Sequence, residues 1–139
     1  MVYLKPLPNP TAMNEPFWEG LHEREFRVPQ CQNCGDYNWI PYPACRTCLS
    51  EDLKWVAASG DATVWSYSVV HRGAGAFAED APYVVVLAKL AEEPRPCIVT
   101  ANIVDLDDPE SVTIGMPLKV VYEDIPDEDI TMFHFAPAG

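Results

Sequence analysis

Cys31-Gln32-Asn33-Cys34 and Cys45-Arg46-Thr47-Cys48 are two C-x-x-C pairs with ten residues between them, and their spacing decides how the rest of the chain is read. A C-x-x-C turn sets two sulfurs on one side of a tight loop, and two such knuckles facing each other complete the tetrahedron that zinc prefers. Four thiolates close the coordination shell, so the expected metal is structural, with no open position for a water. Iron shares the tetrahedral S4 preference and stays open beside zinc, which the compactness of the site favours. The spacer is shorter than the usual ribbon spacing, but it leaves room for two short strands and a turn between the knuckles. Disulfides are a further reading of the cysteines. Met1-Val2-Tyr3-Leu4-Lys5-Pro6 shows no apolar leader core and no stretch approaches membrane-spanning length, so a reducing cytoplasm is the expected compartment and metal is preferred over cystine. Two pairs this close together also favour shared coordination over thiol exchange.

Outward from the knuckles, the metal module is expected over residues 26–55. Between the pairs lies Asn38-Trp39-Ile40-Pro41-Tyr42-Pro43, whose prolines stiffen an extended hairpin and whose aromatics stand near the metal. So small a unit has too little apolar area to fold alone; metal ligation should supply stability of the order of 10 kcal/mol. Upstream, residues 1–25 hold an extended segment with Pro6, Pro8 and Pro10, then a short helix. Asn14 is placed to cap it and Pro16 is tolerated in a first turn. Phe17, Trp18 and Leu21 form one apolar face running to about Arg24, with Gly20 as a weak point. The face suits core packing; it would equally suit contact with a ligand or partner.

Downstream, residues 56–139 read as β structure. Short apolar runs near residues 62–70, 83–90, 97–104, 118–122 and 132–135 are separated by turn residues too few for a helical crossover. The expected fold class is therefore mostly β: a short helix, a metal ribbon and a five-stranded antiparallel barrel of meander or Greek-key type. A chain of 139 residues with 48% hydrophobic content has enough material for a core. Its 14 prolines against 7 glycines imply rigid turns and few long helices. A net charge of −12 repels phosphates and so argues against nucleic acid, a common partner of ribbons and small barrels.

Little in the chain suggests independent catalysis. His22, His71 and His134 are scattered, without a nucleophile or second base in a recognisable pattern. Cys97 begins an apolar run and reads as a buried core thiol. The loop His71-Arg72-Gly73-Ala74-Gly75-Ala76-Phe77 puts a cation and an aromatic together in an acidic chain. Arg72 and Phe77 are thus candidates for contact with a ligand or partner, beside the reading as a hairpin tip. Glu123-Asp124-Ile125-Pro126-Asp127-Glu128-Asp129 carries five carboxylates without the spacing of a calcium loop. It reads as a solvated loop, or as one that steers a basic partner.

Several motifs then follow one another in a familiar order: Pro16-Phe17-Trp18, Cys31-x-x-Cys34-Gly35, Pro41-Tyr42-Pro43, Cys45-x-x-Cys48, Trp55, Ser59-Gly60, Pro82-Tyr83-Val84-Val85 and Ile114-Gly115-Met116-Pro117. The whole resembles the DUF35 family of acyl-CoA-associated OB-fold proteins, from about residue 13 to residue 137. That resemblance implies an N-terminal helix, a rubredoxin-like zinc ribbon and a C-terminal OB-fold, with structural Zn2+ held by Cys31, Cys34, Cys45 and Cys48. It also implies a noncatalytic accessory subunit of a thiolase-like enzyme (thiolase, aldolase or acyltransferase) acting on the carbon–carbon bond of a CoA thioester. In such assemblies the thiolase-fold partner carries the nucleophile, a heterotetramer is the expected form, and the small chain completes the complex and can border the acyl-CoA channel. Phe17, Trp18 and Tyr42 join Arg72 and Phe77 as contact candidates. The chain departs from the family pattern where Ala44 replaces an arginine after Pro41-Tyr42-Pro43, and where Gly60-Asp61-Ala62 replaces Gly-x-Gly. A stand-alone acyl-CoA-binding module is the alternative function, and a nucleic-acid-binding ribbon with an OB-fold is the third. A free-standing subunit and an excised domain are both open, and the acyl group is not legible.

Overall fold

The computed structural model describes residues 4–138. Met1–Tyr3, part of the stretch read as extended and without a leader, lie outside the described residues. Helix α1 (Glu15–His22) precedes seven strands: β1 (Phe26–Cys31), β2 (Leu53–Ala58), β3 (Asp61–Val70), β4 (Tyr83–Leu90), β5 (Ile98–Ile103), β6 (Pro117–Asp124) and β7 (Thr131–Pro137).

Asn14 occupies the cap position, but its side chain turns back to accept the backbone N–H of Thr11 at 2.7 Å and does not cap the helix. The helix stops two residues before the expected Arg24. The N–H groups of Arg24 and Glu25 bond to the carbonyls of Leu21 and Gly20, the double closure that ends a helix with a left-handed residue. Arg24 takes that position at φ 62°, usually given to glycine. It is pinned there by a bidentate pair with Asp124, at 2.7 and 3.0 Å. Gly20 is required by packing, since a Cβ there would stand 2.8 Å from the Glu25 carbonyl oxygen.

Strands β1 and β2 pair antiparallel from Phe26↔Ala58 to Cys31↔Leu53. The strands of the metal module thus flank the knuckles, whereas the sequence reading allowed a strand pair between them. Prolines 41 and 43 keep the spacer irregular, and the spacer's Tyr37 makes only an isolated bridge, to Gln30.

The remaining strands close a barrel in the order β3-β4-β5-β7-β6. Its pairs are antiparallel except where β5 meets β7 in parallel at Ile103↔Phe135. The expectation of an all-antiparallel barrel is corrected at that one seam. After the connection over residues 104–116, which contains one short 3-10 turn, β6 pairs with β3 rather than with β5, and β7 fills the place between β5 and β6 and closes the barrel. Alternation sends Val84, Val86, Ala88 and Leu90 inward from β4, and Leu118 and Val120 from β6. Gly60, at φ 87°, turns the chain from β2 into β3, with Val120 packed where its Cβ would be.

One buried cluster joins the parts. Phe17 and Leu21 of α1 and Phe26 and Val28 of β1 pack with the barrel interior. Phe17 lies edge-on to Phe26 and Phe133, at 5.6 Å from each ring, and 4.7 Å from Trp39. Each such ring removed from water contributes about 1.5–3 kcal/mol, so the helix and ribbon are held to the barrel by apolar packing.

Candidate metal centre and its surroundings

The four sulfurs of Cys31, Cys34, Cys45 and Cys48 lie within 4.8 Å of one another. Cys31 and Cys48 approach to 3.5 Å and Cys34 and Cys45 to 3.6 Å. A tetrahedron with Zn–S bonds of about 2.3 Å has edges of about 3.8 Å, so the donor set fits the ion.

Each knuckle is built by the same backbone device. Gly35 N–H bonds to the Cys31 carbonyl and Leu49 N–H to that of Cys45; Cys31 and Cys45 N–H bond to the carbonyls of Asp36 and Ser50. The residue after each second cysteine is left-handed, Gly35 at φ 83° and Leu49 at φ 65°. These turns aim N–H groups at sulfur, Cys34 N at Cys31 Sγ (3.5 Å) and Thr47 N at Cys45 Sγ (3.4 Å). Asn33 and Asn38 donate side-chain amides to Cys48 and Cys45.

The donors prepare thiolates. Burial opposes the charged form of Cys45, but the N–H groups of Cys48 and Thr47 and the Asn38 amide hold it down to about 6. Asn33 and the Ser50 N–H hold Cys48 below the ordinary thiol value. Cys34 has the Asp36 N–H pulling its thiol down, yet burial and the three other sulfurs push it up to about 12. Four sulfurs this close share negative charge only when a cation lies between them, and a divalent metal supplies it.

Beside the sulfurs, the fully buried Asp36 carboxylate accepts the Thr47 hydroxyl at 2.5 Å and Arg95 at 2.8 Å. The Thr47 hydrogen bond first, and then Arg95, hold its carboxyl below the usual range in spite of burial. Arg46 donates to the Pro96 carbonyl at 2.7 Å. Arg46 and Arg95 thus latch the knuckles to the β4–β5 loop and offset the charge of a tetrathiolate centre. Sequence reading passed over Asp36, Asn38, Thr47 and Arg95; the nearness of Asp36, Asn38 and Thr47 to the cysteines was the available signal, and Arg95 offered none.

Two family models match in tandem: the ChsH2 rubredoxin-like zinc ribbon domain over residues 18–54 and the ChsH2 C-terminal OB-fold domain over residues 55–123. A DUF35 domain-containing scaffold protein of Methanocaldococcus jannaschii is 33% identical over 113 residues, a match covering 80% of this chain and 77% of that protein. The chain belongs to the DUF35 family. Its barrel is the OB-fold of that family and its metal module the zinc ribbon. Another relative is the 3-oxo-4,17-pregnadiene-20-carboxyl-CoA hydratase alpha subunit of Mycobacterium tuberculosis, 32% identical over 127 residues. That match covers 86% of this chain but 39% of the subunit's length. Among solved structures, a chain of the Ltp2-ChsH2(DUF35) aldolase superimposes with a TM-score of 0.80 at 30% identity, covering 94% of this chain and 98% of that one.

The contact candidates of this DUF35 chain do not converge. Phe17 is 2% exposed and spent on the core, its apolar stripe having suited either role. Trp18 is half-buried, with its indole N–H buried and without a hydrogen-bond partner among the described residues. Tyr42 stands 70% exposed on the ribbon beside Ile40 at 74% and Leu49 at 76%, along a groove of about 540 Å3. Arg72 is exposed on its loop, whereas Phe77 turns inward, its ring 6.2 Å from that of Tyr83 and beneath the Lys5 ammonium. Cys97 is fully buried, and burial pushes its thiol up to about 11. No helix among the described residues is long and apolar enough to cross a membrane.

Proposed function

We propose that this chain is a zinc-stapled, noncatalytic accessory subunit of a thiolase-fold enzyme that makes or breaks a carbon–carbon bond in an acyl-CoA thioester. The observation that carries the reading is the near-complete superposition on the DUF35 chain of an aldolase, over 98% of that chain's length. The name of the tuberculosis relative, a subunit acting on a CoA thioester, supports the same class of substrate. Within the chain, four thiolates leave the metal no open position for a substrate oxygen or water. The three histidines stand apart, facing Asp129, Glu110 and Glu123. The nucleophile would belong to the partner, and the heterotetramer expected of thiolase dimers would place one accessory chain on each.

The test is affinity purification of the tagged chain from its native cells at low salt, with the bound proteins identified by mass spectrometry and the pair assayed for thioester turnover. Stoichiometric recovery of a thiolase-like subunit, with turnover that neither chain gives alone, is the expected result. Recovery of the chain alone, together with direct binding of an acyl-CoA in titration, would replace the reading by a self-contained binding module.

A further inference from the structure

A cavity of about 550 Å3 lies against strands β4, β5, β6 and β7 and the loops that precede β4 and follow β5, walled by Phe77, Tyr83, Ile103, Leu106 and Met132. Its volume lies within the range that holds one or two large side chains or a small ligand. The rim is polar and mostly acidic: Asp80, paired with the Lys5 ammonium that also lines the cavity, then Asp105 and Glu123, with His134 held by Glu123 at 2.8 Å. Segments 75–80, 105–110 and 123–129, each contributing to the cavity or its rim, carry eleven of the chain's 21 acidic residues. Lys5 and Arg24, two of the cations nearby, already pair with Asp80 and Asp124. Much of the chain's negative charge is therefore gathered around an apolar hole.

This combination selects its occupant. An acidic rim repels the phosphates of a nucleotide or of CoA and attracts a cation, and an apolar floor rewards a buried side chain. The carboxylates extend over three loops, farther than a small amine would reach. We propose that the cavity is the docking site for an apolar side chain carried on a lysine- or arginine-rich segment of the partner enzyme subunit, which rests on the accessory role proposed above.

The probe is the peptide Lys-Lys-Phe-Lys-Lys, titrated into the full-length, metal-loaded chain and followed residue by residue by nuclear magnetic resonance. The controls are peptides with alanine at the centre and with glutamates at the flanks. Saturable shifts centred on Ile103, Leu106, Met132 and His134 are expected, with affinity at least tenfold weaker for either control. Met132→Trp, which fills the cavity, should abolish those shifts, and Asp105→Asn with Asp107→Asn should weaken binding severalfold at low salt. The second pair keeps at position 105 a side chain that tolerates its left-handed φ of 59°. Shifts scattered over the acidic loops and equal for the alanine peptide would overturn the proposal. Markedly tighter binding by a chain beginning at Leu4 would assign the cavity to the chain's own N-terminus and overturn it equally. In parallel, Met132→Trp that recovers the thiolase-like subunit as well as wild type does would reject the docking site and leave the accessory role standing. Failure of both chains to recover it would reject that role, with the peptide titration still deciding whether the cavity takes a basic segment.

Discussion

Cys45 lies at the centre of the residue-scale chemistry, because it accepts hydrogen bonds from Asn38 and Thr47 while approaching Cys34. Replacing its sulfur removes a ligand and leaves those donors facing a weaker acceptor. Cys45→Ser should bind metal with at most a fraction of the wild-type stoichiometry and melt at a markedly lower temperature; unchanged metal content and melting would refute the structural role. Leu49 offers a second test at this scale. It stands where the first knuckle has Gly35, is left-handed, and is exposed. A non-glycine residue in that conformation costs about 1–2 kcal/mol, part of which glycine gives back through its freer unfolded state. Leu49→Gly should therefore leave stability unchanged or raise it by up to about 1 kcal/mol in thermal melts. A clear loss would show that the leucine packs within the chain. The cysteines were legible because ligand spacing is a local property. Arg95 as a partner of the knuckle was not, because it meets Asp36 across 59 residues of chain only after ribbon and barrel have come together.

At the scale of elements, α1 is tied to the barrel by its left-handed terminus. Arg24 reaches Asp124 at the end of β6, and Thr131 of β7 donates to the same carboxylate at 2.7 Å. The Arg24 hydrogen bond first, and then Thr131, hold the Asp124 carboxyl well below the usual carboxylate range. A carboxyl lower in the folded than in the unfolded chain contributes stability above its unfolded value, near pH 4, and that contribution is lost as pH falls through the folded value. Asp124→Asn should reduce stability at pH 7 and flatten its fall between about pH 5 and pH 2, as read from denaturant unfolding at each pH. Parallel wild-type and variant curves would show the pair to be screened by solvent. The positions of the five barrel strands were readable from β-branched runs bounded by Gly and Pro. The pairing of β1 with β2 was not, since it joins segments separated by the entire metal site, and no local signal marks which strand is a partner.

For the whole molecule, the single buried cluster predicts cooperativity. Phe26 and Val28 of the ribbon's first strand lie in the same core as Val86, Leu118 and Phe135 of the barrel. The Asp36–Arg95 pair joins knuckle to barrel loop a second time. The metal-loaded chain should unfold in one calorimetric transition, and chelation should lower its midpoint without splitting it. Two separated transitions would mean that ribbon and barrel fold independently. The sequence by itself determined the cysteine cluster, the helix and the five barrel strands, and the acidic character that argues against nucleic acid. These follow from donor chemistry, residue periodicity and net charge, which need no knowledge of distant neighbours. Only the tertiary structure decided that Phe17 is core, that β5 meets β7 in parallel, that Arg95 guards the knuckle and that an apolar cavity lies inside an acidic rim. Each of those depends on residues tens of positions apart arriving at one place, and an amphipathic stripe or a run of carboxylates reads the same whichever neighbours it will meet.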